Sequence, residues 1–396
     1  MRIGMILDKT YPPDPRVENE AVSLIENGHE VFLFCLKYAN EKGEELIKGI
    51  QVKRYISNKF IYKSSALAYT IPVYSKLMSN KIRHFLISNK IDIVHIHDIQ
   101  IAKAAFKAIK KTGLKTILDL HENRPEIMKF YPHLQKFPGR YLIAIKKWKQ
   151  KEEEFIKKAT KVVVVTEESK QEIINRVGVH SNKIVVVPNT VHQSYVNNAT
   201  FNQEIIEKYS TQFTLLYVGD TGLRRGLSTA IESMDVLKEK IPNIKLVIVG
   251  SNSSDVFLKQ QVADLEIQDY VDFEGWKNEN LFPSYIKASS ICISPLHRNL
   301  HHDTTYANKL FQYMSFGKPL LVSDATAQKN IVEKAASGLV HKAEDIVDFT
   351  EKVLELYHVK VLQSKLGENG KSFIENEFYW EKTSKDLIEL YANLNL

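Results

Sequence analysis

Cysteine is nearly absent: the 396 residues contain two, Cys35 and Cys292, far apart and each inside an apolar run. That excludes a disulfide scaffold and fits a reducing compartment. Long hydrophobic runs are missing too. No stretch approaches the roughly 18 apolar residues of a membrane span, and the longest uncharged stretch near the front, 64–75, is short and partly polar. With 16 Gly and 12 Pro, the chain is too poor in both to be collagenous or of low complexity. The opening residues 1–8 read as a strand, and Asp8 and Lys9 interrupt it before the apolar core of a leader could form. The expectation is a cytoplasmic protein.

What remains is the composition of a soluble globular chain, 44% hydrophobic and 26% charged, long enough for two domains. The net charge of +7 hides an asymmetry. Residues 1–200 carry 33 basic and 20 acidic side chains, and residues 201–396 carry 21 and 27. Segment 51–150 alone holds 20 basic against 5 acidic. Such a field points to an anionic partner: nucleic acid, a membrane surface or a phosphate-bearing acceptor.

Short β-branched runs alternate with helical patterns throughout. Strands are expected at 3–7, 31–36, 52–56, 91–97, 116–120, 162–166 and 183–187, then at 214–219, 245–250, 270–273, 291–294, 319–323 and 338–341. This alternation predicts an α/β protein with two Rossmann-like, doubly wound parallel sheets. A polar, Asn-rich stretch at 188–212 breaks the rhythm and marks the boundary. The expected domains are 1–195 and 205–377, with a last segment, 378–396, crossing back to the first. Ligands of such sheets bind at the carboxyl ends of the strands, which makes a central cleft the expected site.

Two segments carry chemistry on that logic. Gly219-Asp220-Thr221-Gly222-Leu223-Arg224-Arg225-Gly226 follows a strand and opens a helix. Glycines for close backbone approach, two guanidinium groups and a helix N-terminus make a receptor for a diphosphate. The segment matches neither G-x-G-x-x-G nor G-x-x-x-x-G-K-[ST]. The second, Thr304 to Pro319, reads as a helix with Asn308, Lys309 and Gln312 in its first turns. Leu310, Phe311 and Met314 serve the core there, and the polar residues need another reason.

Taken in order, Pro15-Arg16-Val17-Glu18-Asn19-Glu20-Ala21, Val94-His95-Ile96-His97-Asp98, Leu118-Asp119-Leu120-His121-Glu122, Val187-Pro188-Asn189, Tyr217-Val218-Gly219 with Arg225-Gly226, Phe273-Glu274-Gly275-Trp276 and Lys309 through Pro319 span nearly the whole chain. The chain resembles glycosyltransferase family 4, whose fold is GT-B. The resemblance implies a retaining enzyme that takes a hexose-type sugar from a nucleotide-diphosphate sugar. The second domain would bind that donor through Gly219, Arg224, Arg225, Asp303, Thr304, Asn308, Lys309 and Gln312, with Gly275 and Trp276 beside the base. His121 would sit at the reacting carbon, with Arg225 and Lys309 neutralising the leaving diphosphate. The first domain would bring a glycan or lipid-linked acceptor, with Arg16, Glu20, His97, Asp98 and Glu122 on that side. The implied setting is surface-polysaccharide assembly. No metal or cofactor is expected, in keeping with the lack of any Asp-x-Asp.

Two departures stand out. The family usually has two acidic residues eight apart where this chain has Thr304 and Gln312. Gln312 can still donate to and accept from a ribose diol. Thr304 cannot replace a carboxylate, although Asp303 is adjacent. Asp220 stands where many relatives carry a basic residue. The alternatives are a nucleotide-sugar epimerase or glycan phosphorylase of the same fold, or a non-catalytic sugar-nucleotide-binding subunit. His95, His97, His121 and Glu122 also raise a metal-hydrolase reading, which the family pattern makes the weaker one. In 135–154, Phe137, Tyr141, Ile145 and Trp148 fall at helical spacing among lysines, so a basic amphipathic helix on an anionic membrane is expected, against plain packing on the first domain. No nucleic-acid-binding signature is present.

Overall fold

A computed structural model describes residues 1–137 and 139–394. The chain forms two compact units, Met1–Pro188 with Ser384–Leu396, and Asn189–Thr383.

The first unit is built on eight strands: β1 (Arg2–Ile6), β2 (Glu30–Lys37), β3 (Glu44–Ile47), β4 (Ile50–Ile56), β5 (Ile93–His97), β6 (Lys115–Leu120), β7 (Lys161–Val164) and β8 (Ile184–Val186). Their order is β3-β4-β2-β1-β5-β6-β7-β8. All pairs are parallel except β3–β4, an antiparallel edge hairpin that the strand pattern did not predict. The strand order reverses between β1 and β5, and at such a switch point the loops part to leave a crevice. The helix Pro15–Glu26 begins where Asp14 accepts the Val17 N–H at 3.2 Å and Pro15 takes the first turn. The last helix, Lys385–Leu394, buries Leu387, Leu390, Tyr391 and Leu394, one face of a helix.

The second unit has six parallel strands: β9 (Phe213–Val218), β10 (Ile244–Val249), β11 (Val271–Gly275), β12 (Ile291–Ser294), β13 (Leu320–Ser323) and β14 (Gly338–His341), ordered β11-β10-β9-β12-β13-β14. The switch lies between β9 and β12. Leu215, Tyr217, Leu246 and Ile248 pack in one core, and Leu216, Val218, Val247 and Val249 in the other. Side chains alternate across a strand, so a sheet covered on both faces reads as an unbroken apolar run.

The chain divides at Pro188 and returns at Ser384, where the sequence placed residues 195 and 378. The polar stretch is not a free linker. It folds into the helices Gln193–Asn197 and Gln203–Tyr209, and Val191 and Tyr209 sink into a core of the second unit. Residues 395–396 of the expected crossing segment lie outside the described residues.

The expected helix over 135–154 is corrected. Short helices, Pro132–Gln135 and Gly139–Leu142, precede a separate one, Ile145–Lys158. Pro138 disfavours helical geometry in the residue before it, which breaks the pattern; Pro138 itself lies outside the described residues. The aromatic stripe is therefore split. Trp148 is buried edge-on against Tyr69, ring centroids 4.7 Å apart, whereas Phe137 and Tyr141 are 84% and 74% exposed.

Candidate active site

In the first unit the strand register assembles a buried polar cluster. His97 on β5 pairs with Asp119 on β6, and His95 lies two residues back on the same face. From the neighbouring helix, Arg16 and Glu20 sit four residues apart and so face the same way. Arg16 forks onto Asp119, with Nε 3.1 Å from Oδ2 and Nη2 2.9 Å from Oδ1. Nη2 also lies 2.9 Å from Glu20 Oε1, and Nη1 donates to the Val187 carbonyl at 3.0 Å.

Asp119 Oδ2 in turn holds His121 Nε2 at 2.8 Å, and His97 Nδ1 is 3.1 Å from the same Nε2. Asp98 Oδ2 lies 3.8 Å from His121 Nδ1. Burial alone would push the His121 imidazole down, but the Asp119 and Asp98 carboxylates override it and raise its pKa to about 9. Burial would likewise raise Asp119, and Arg16 and His121 hold it well below the carboxylate range. His97 is pushed down to about 3, chiefly by burial, and is neutral. Burial lifts Glu20 to about 7 against the pull of Arg16. The result is an imidazolium fixed at the carboxyl end of β6, its side chain 13% exposed. Asp98 adopts φ 65°, a region nearly closed to residues other than glycine, and such strain concentrates at functional sites.

Of the residues expected on the acceptor side, His121 and Glu122 reach the surface. Arg16, Glu20, His97 and Asp98 are buried. They hold His121 from within rather than meeting an acceptor, because their polar atoms face one another. Glu20, His95, His97 and Asp119 bring four ligand atoms within 4.8 Å of one another, a spacing that could hold a metal ion. The Arg16 guanidinium already places positive charge among those carboxylates.

The second unit gathers its basic groups at the β9–β12 switch. Gly226 has φ 74°, and a Cβ there would stand 1.7 Å from the Pro295 carbonyl oxygen, so only glycine lets the β9 and β12 loops meet. His297 N–H donates to the Arg224 carbonyl at 3.1 Å, closing the same contact. Arg225 Nε pairs with Asp220 Oδ2 at 3.1 Å. Asn252 Nδ2 donates to the other Asp220 oxygen at 2.5 Å. Lys309 is buried with its amine 3.3 Å from the centroid of the Tyr217 ring. Burial, and then Arg225, depress that amine well below its ordinary pKa. Among the described residues no carboxylate lies within ion-pair distance of it. An anion entering here would restore the charged form.

The remaining residues expected on the donor side divide. Thr304 is buried and its hydroxyl donates to the Leu300 carbonyl at 2.7 Å. Asp303 accepts from the Thr326 N–H at 2.8 Å and pairs with Arg298 at 3.3 Å, so it caps the helix Thr326–Lys334. Asn308 caps the helix Lys309–Ser315 without a side-chain hydrogen bond, and Gln312 is half-buried on that helix. Gly275 accepts from the Gly250 N–H at 2.8 Å, and Trp276 is 75% exposed.

Sequence reasoning missed Asp119 as the hub, although an aspartate inside the apolar run Thr116-Ile117-Leu118-Asp119-Leu120 was a usable signal: a buried carboxylate needs a cation. It also missed Asp8, at the end of β1, which accepts the Tyr74 hydroxyl and is raised by burial to about 7.

Two parallel-sheet units with these sites define the GT-B class of glycosyltransferase. Two family models match: "Glycosyltransferase Family 4" over residues 16–195 and "Glycosyl transferases group 1" over residues 198–373. The chain belongs to the family 4-like glycosyltransferases. It is similar to the capsular polysaccharide biosynthesis glycosyltransferase CapM of Staphylococcus aureus, 24% identical over 250 residues, 59% of this chain and 61% of that one. It is also similar to the UDP-Gal:alpha-D-GlcNAc-diphosphoundecaprenol alpha-1,3-galactosyltransferase of Escherichia coli, 24% identical over 242 residues, 59% of this chain and 60% of that one. The matches span about three-fifths of the length of these relatives. Sucrose-phosphate synthase from Thermosynechococcus elongatus shares the fold, with a TM-score of 0.78, 16% identity and coverage of 99% of this chain and 98% of that one.

Proposed function

We propose that this protein is a retaining glycosyltransferase that moves a hexose-type sugar from a nucleotide-diphosphate sugar to a lipid-linked glycan acceptor in surface-polysaccharide assembly. The observation that carries this reading is the buried Lys309 amine, without a carboxylate partner within reach among the described residues, beside Arg225 at the carboxyl end of β9. A buried amine that an arriving anion would recharge is a receptor for that anion. The name of the Escherichia coli relative supplies the nucleotide sugar and the lipid diphosphate.

In the reaction, the bond from the anomeric carbon to the diphosphate oxygen breaks and a bond to the acceptor oxygen forms. Negative charge collects on the departing nucleotide diphosphate, and its freed oxygen takes up the acceptor's proton. Arg225 and Lys309 meet that charge, and fixed cations aimed at a developing anion lower the barrier. Arg224, the glycine-lined turn and Gln312 complete the donor site, with Gly275 and Trp276 assigned to the base. His121 serves the reacting sugar as an imidazolium. These cations do for the diphosphate what a bridging metal does elsewhere, so the proposed reaction runs without a cofactor.

The test is a thermal-shift screen against UDP-, GDP-, ADP- and TDP-sugars. A ligand bound only by the native state, at a hundred times its Kd, adds roughly 2.7 kcal/mol. One nucleotide is expected to raise the midpoint of the wild type and to leave Arg225→Ala unmoved. No shift with any of the four sinks the donor assignment.

Segment 51–150 is further proposed to rest on an anionic membrane at the cytoplasmic face. Phe60, Tyr62, Phe137 and Tyr141 are exposed among lysines, and Thr70 donating to the Leu142 carbonyl at 3.0 Å brings the two stretches side by side. No helix among the described residues is long and apolar enough to cross a membrane. Binding to vesicles containing anionic lipid is expected to exceed binding to neutral ones at low salt and to fall as salt rises. Equal binding to both refutes it.

A further inference from the structure

The arginine turn of the second unit holds a carboxylate among its basic groups. Asp220 follows Gly219 at the carboxyl end of β9 and precedes Arg224 and Arg225. Its side chain is 38% exposed and that of Arg225 is 22% exposed, so both are open to a ligand. Three donors fix the carboxylate: Arg225 Nε at 3.1 Å on Oδ2, with Asn252 Nδ2 at 2.5 Å and the Gly222 N–H at 3.4 Å on Oδ1. Asn252 is anchored in turn, its own N–H donating to Asp255 Oδ2 at 3.1 Å. The Asp220 carbonyl accepts the Tyr217 hydroxyl at 2.6 Å, and the Lys309 amine stands over that same ring.

We propose that Asp220 is a specificity-determining residue that separates product from donor: its fixed negative charge weakens binding of the freed nucleoside diphosphate more than binding of the nucleotide sugar, and so speeds release after transfer. The inference rests on the donor reading given above.

Positive groups that meet charge in the transition state also hold the product afterwards. In the nucleotide sugar both phosphates are esterified and carry about two negative charges, whereas the freed diphosphate ends in a phosphate whose second ionisation falls near pH 6 and carries about three above it. Arg224, Arg225 and a recharged Lys309 therefore hold the product more tightly than the donor, and product release limits the turnover of many enzymes. A carboxylate acts with the opposite sign, and most strongly on the species that bears the most charge. Burial would raise Asp220, but Asn252 and Arg225 hold its pKa below the ordinary value, so it is ionised when the ligand arrives. It cannot turn away from the anion without breaking the three hydrogen bonds that fix it. Asparagine at this position keeps the shape and an acceptor for Arg225 and removes the charge.

The test is isothermal titration calorimetry of the full-length protein at pH 8. The ligands are the UDP-, GDP-, ADP- or TDP-sugar that raises the wild-type midpoint in the thermal-shift screen, and the diphosphate of the same base. In Asp220→Asn the Kd of the diphosphate is expected to fall on the order of tenfold further than the Kd of the nucleotide sugar, the scale of one additional nearby charge. The difference is expected to shrink as salt rises. Asp220→Glu keeps the charge and is expected to preserve the wild-type ratio of the two constants. Weaker binding of the diphosphate to Asp220→Asn, which a purely structural role would produce, overturns the proposal. Equal tightening of both ligands overturns it too, and so does a ratio that moves as far in Asp220→Glu. If Asp220→Asn does not fold, Asp220→Ser decides by the same criterion. When a nucleotide sugar binds the wild type, these outcomes strike Asp220 alone and leave the donor reading standing. When none binds, the donor reading fails and the proposal falls with it.

Discussion

Replacing Arg16 by methionine is expected to destabilise the fold by about 3–5 kcal/mol, the cost of removing one member of a buried ion network. The guanidinium satisfies both Asp119 oxygens and touches Glu20, and all three side chains are almost wholly buried. Methionine fills much of the volume but leaves two carboxylates facing each other with only the His121 imidazolium beside Asp119. They must then take up protons, which the unfolded chain does not require near neutrality. The folded variant therefore binds more protons than its unfolded form, and its stability falls as pH rises. Urea midpoints at pH 5 and pH 8 check this: the deficit against wild type is expected to be larger at pH 8. Arg16→Lys keeps the charge without the fork and should fall between the two. A methionine variant as stable as wild type at pH 8 would show that the cluster is not an ion network.

Arg225→Ala is expected to lower kcat/KM by about a hundredfold to a thousandfold, the range for losing one group that stabilises transition-state charge. In the free protein Arg225 is held by Asp220 at 3.1 Å, so the guanidinium is oriented before a donor arrives. Burial would raise Asp220, but Asn252 and Arg225 hold its pKa below the ordinary value, so this carboxylate competes with an incoming diphosphate for the same cation. Initial rates with the nucleotide sugar found by thermal shift measure the loss. Turnover near wild type would remove Arg225 from the proposed mechanism.

The two sites were legible to different degrees. The turn proposed for the donor could be picked out in advance because its residues are local: glycines, two arginines and a helix start within eight residues, Gly219 to Gly226. Lys309 was named, yet its buried position over Tyr217 was not, since those residues are far apart in the chain and meet only through the sheet. On the other side, Arg16, Glu20, His97 and Asp98 look like surface polar residues when taken one at a time. Their burial follows from strand register, which sets His97 opposite Asp119, and from a helix that turns Arg16 and Glu20 onto that pair. The aromatic stripe 137–148 failed for a local reason, because Pro138 interrupts the helical spacing on which it depends.

Sequence by itself determined the α/β class, the two parallel sheets, the family resemblance and the placing of basic groups after β9, because periodicity and turn chemistry act between near neighbours. Only the tertiary structure decided that the stretch after Pro188 docks on the second unit, that Asp119 is the hub of the His121 cluster, and that Tyr391 reaches it from the far end of the chain. Each of those depends on pairing between distant segments. Burying a charge is costly, so where such segments meet, the fold brings opposite charges together and their protonation is set by the company they keep.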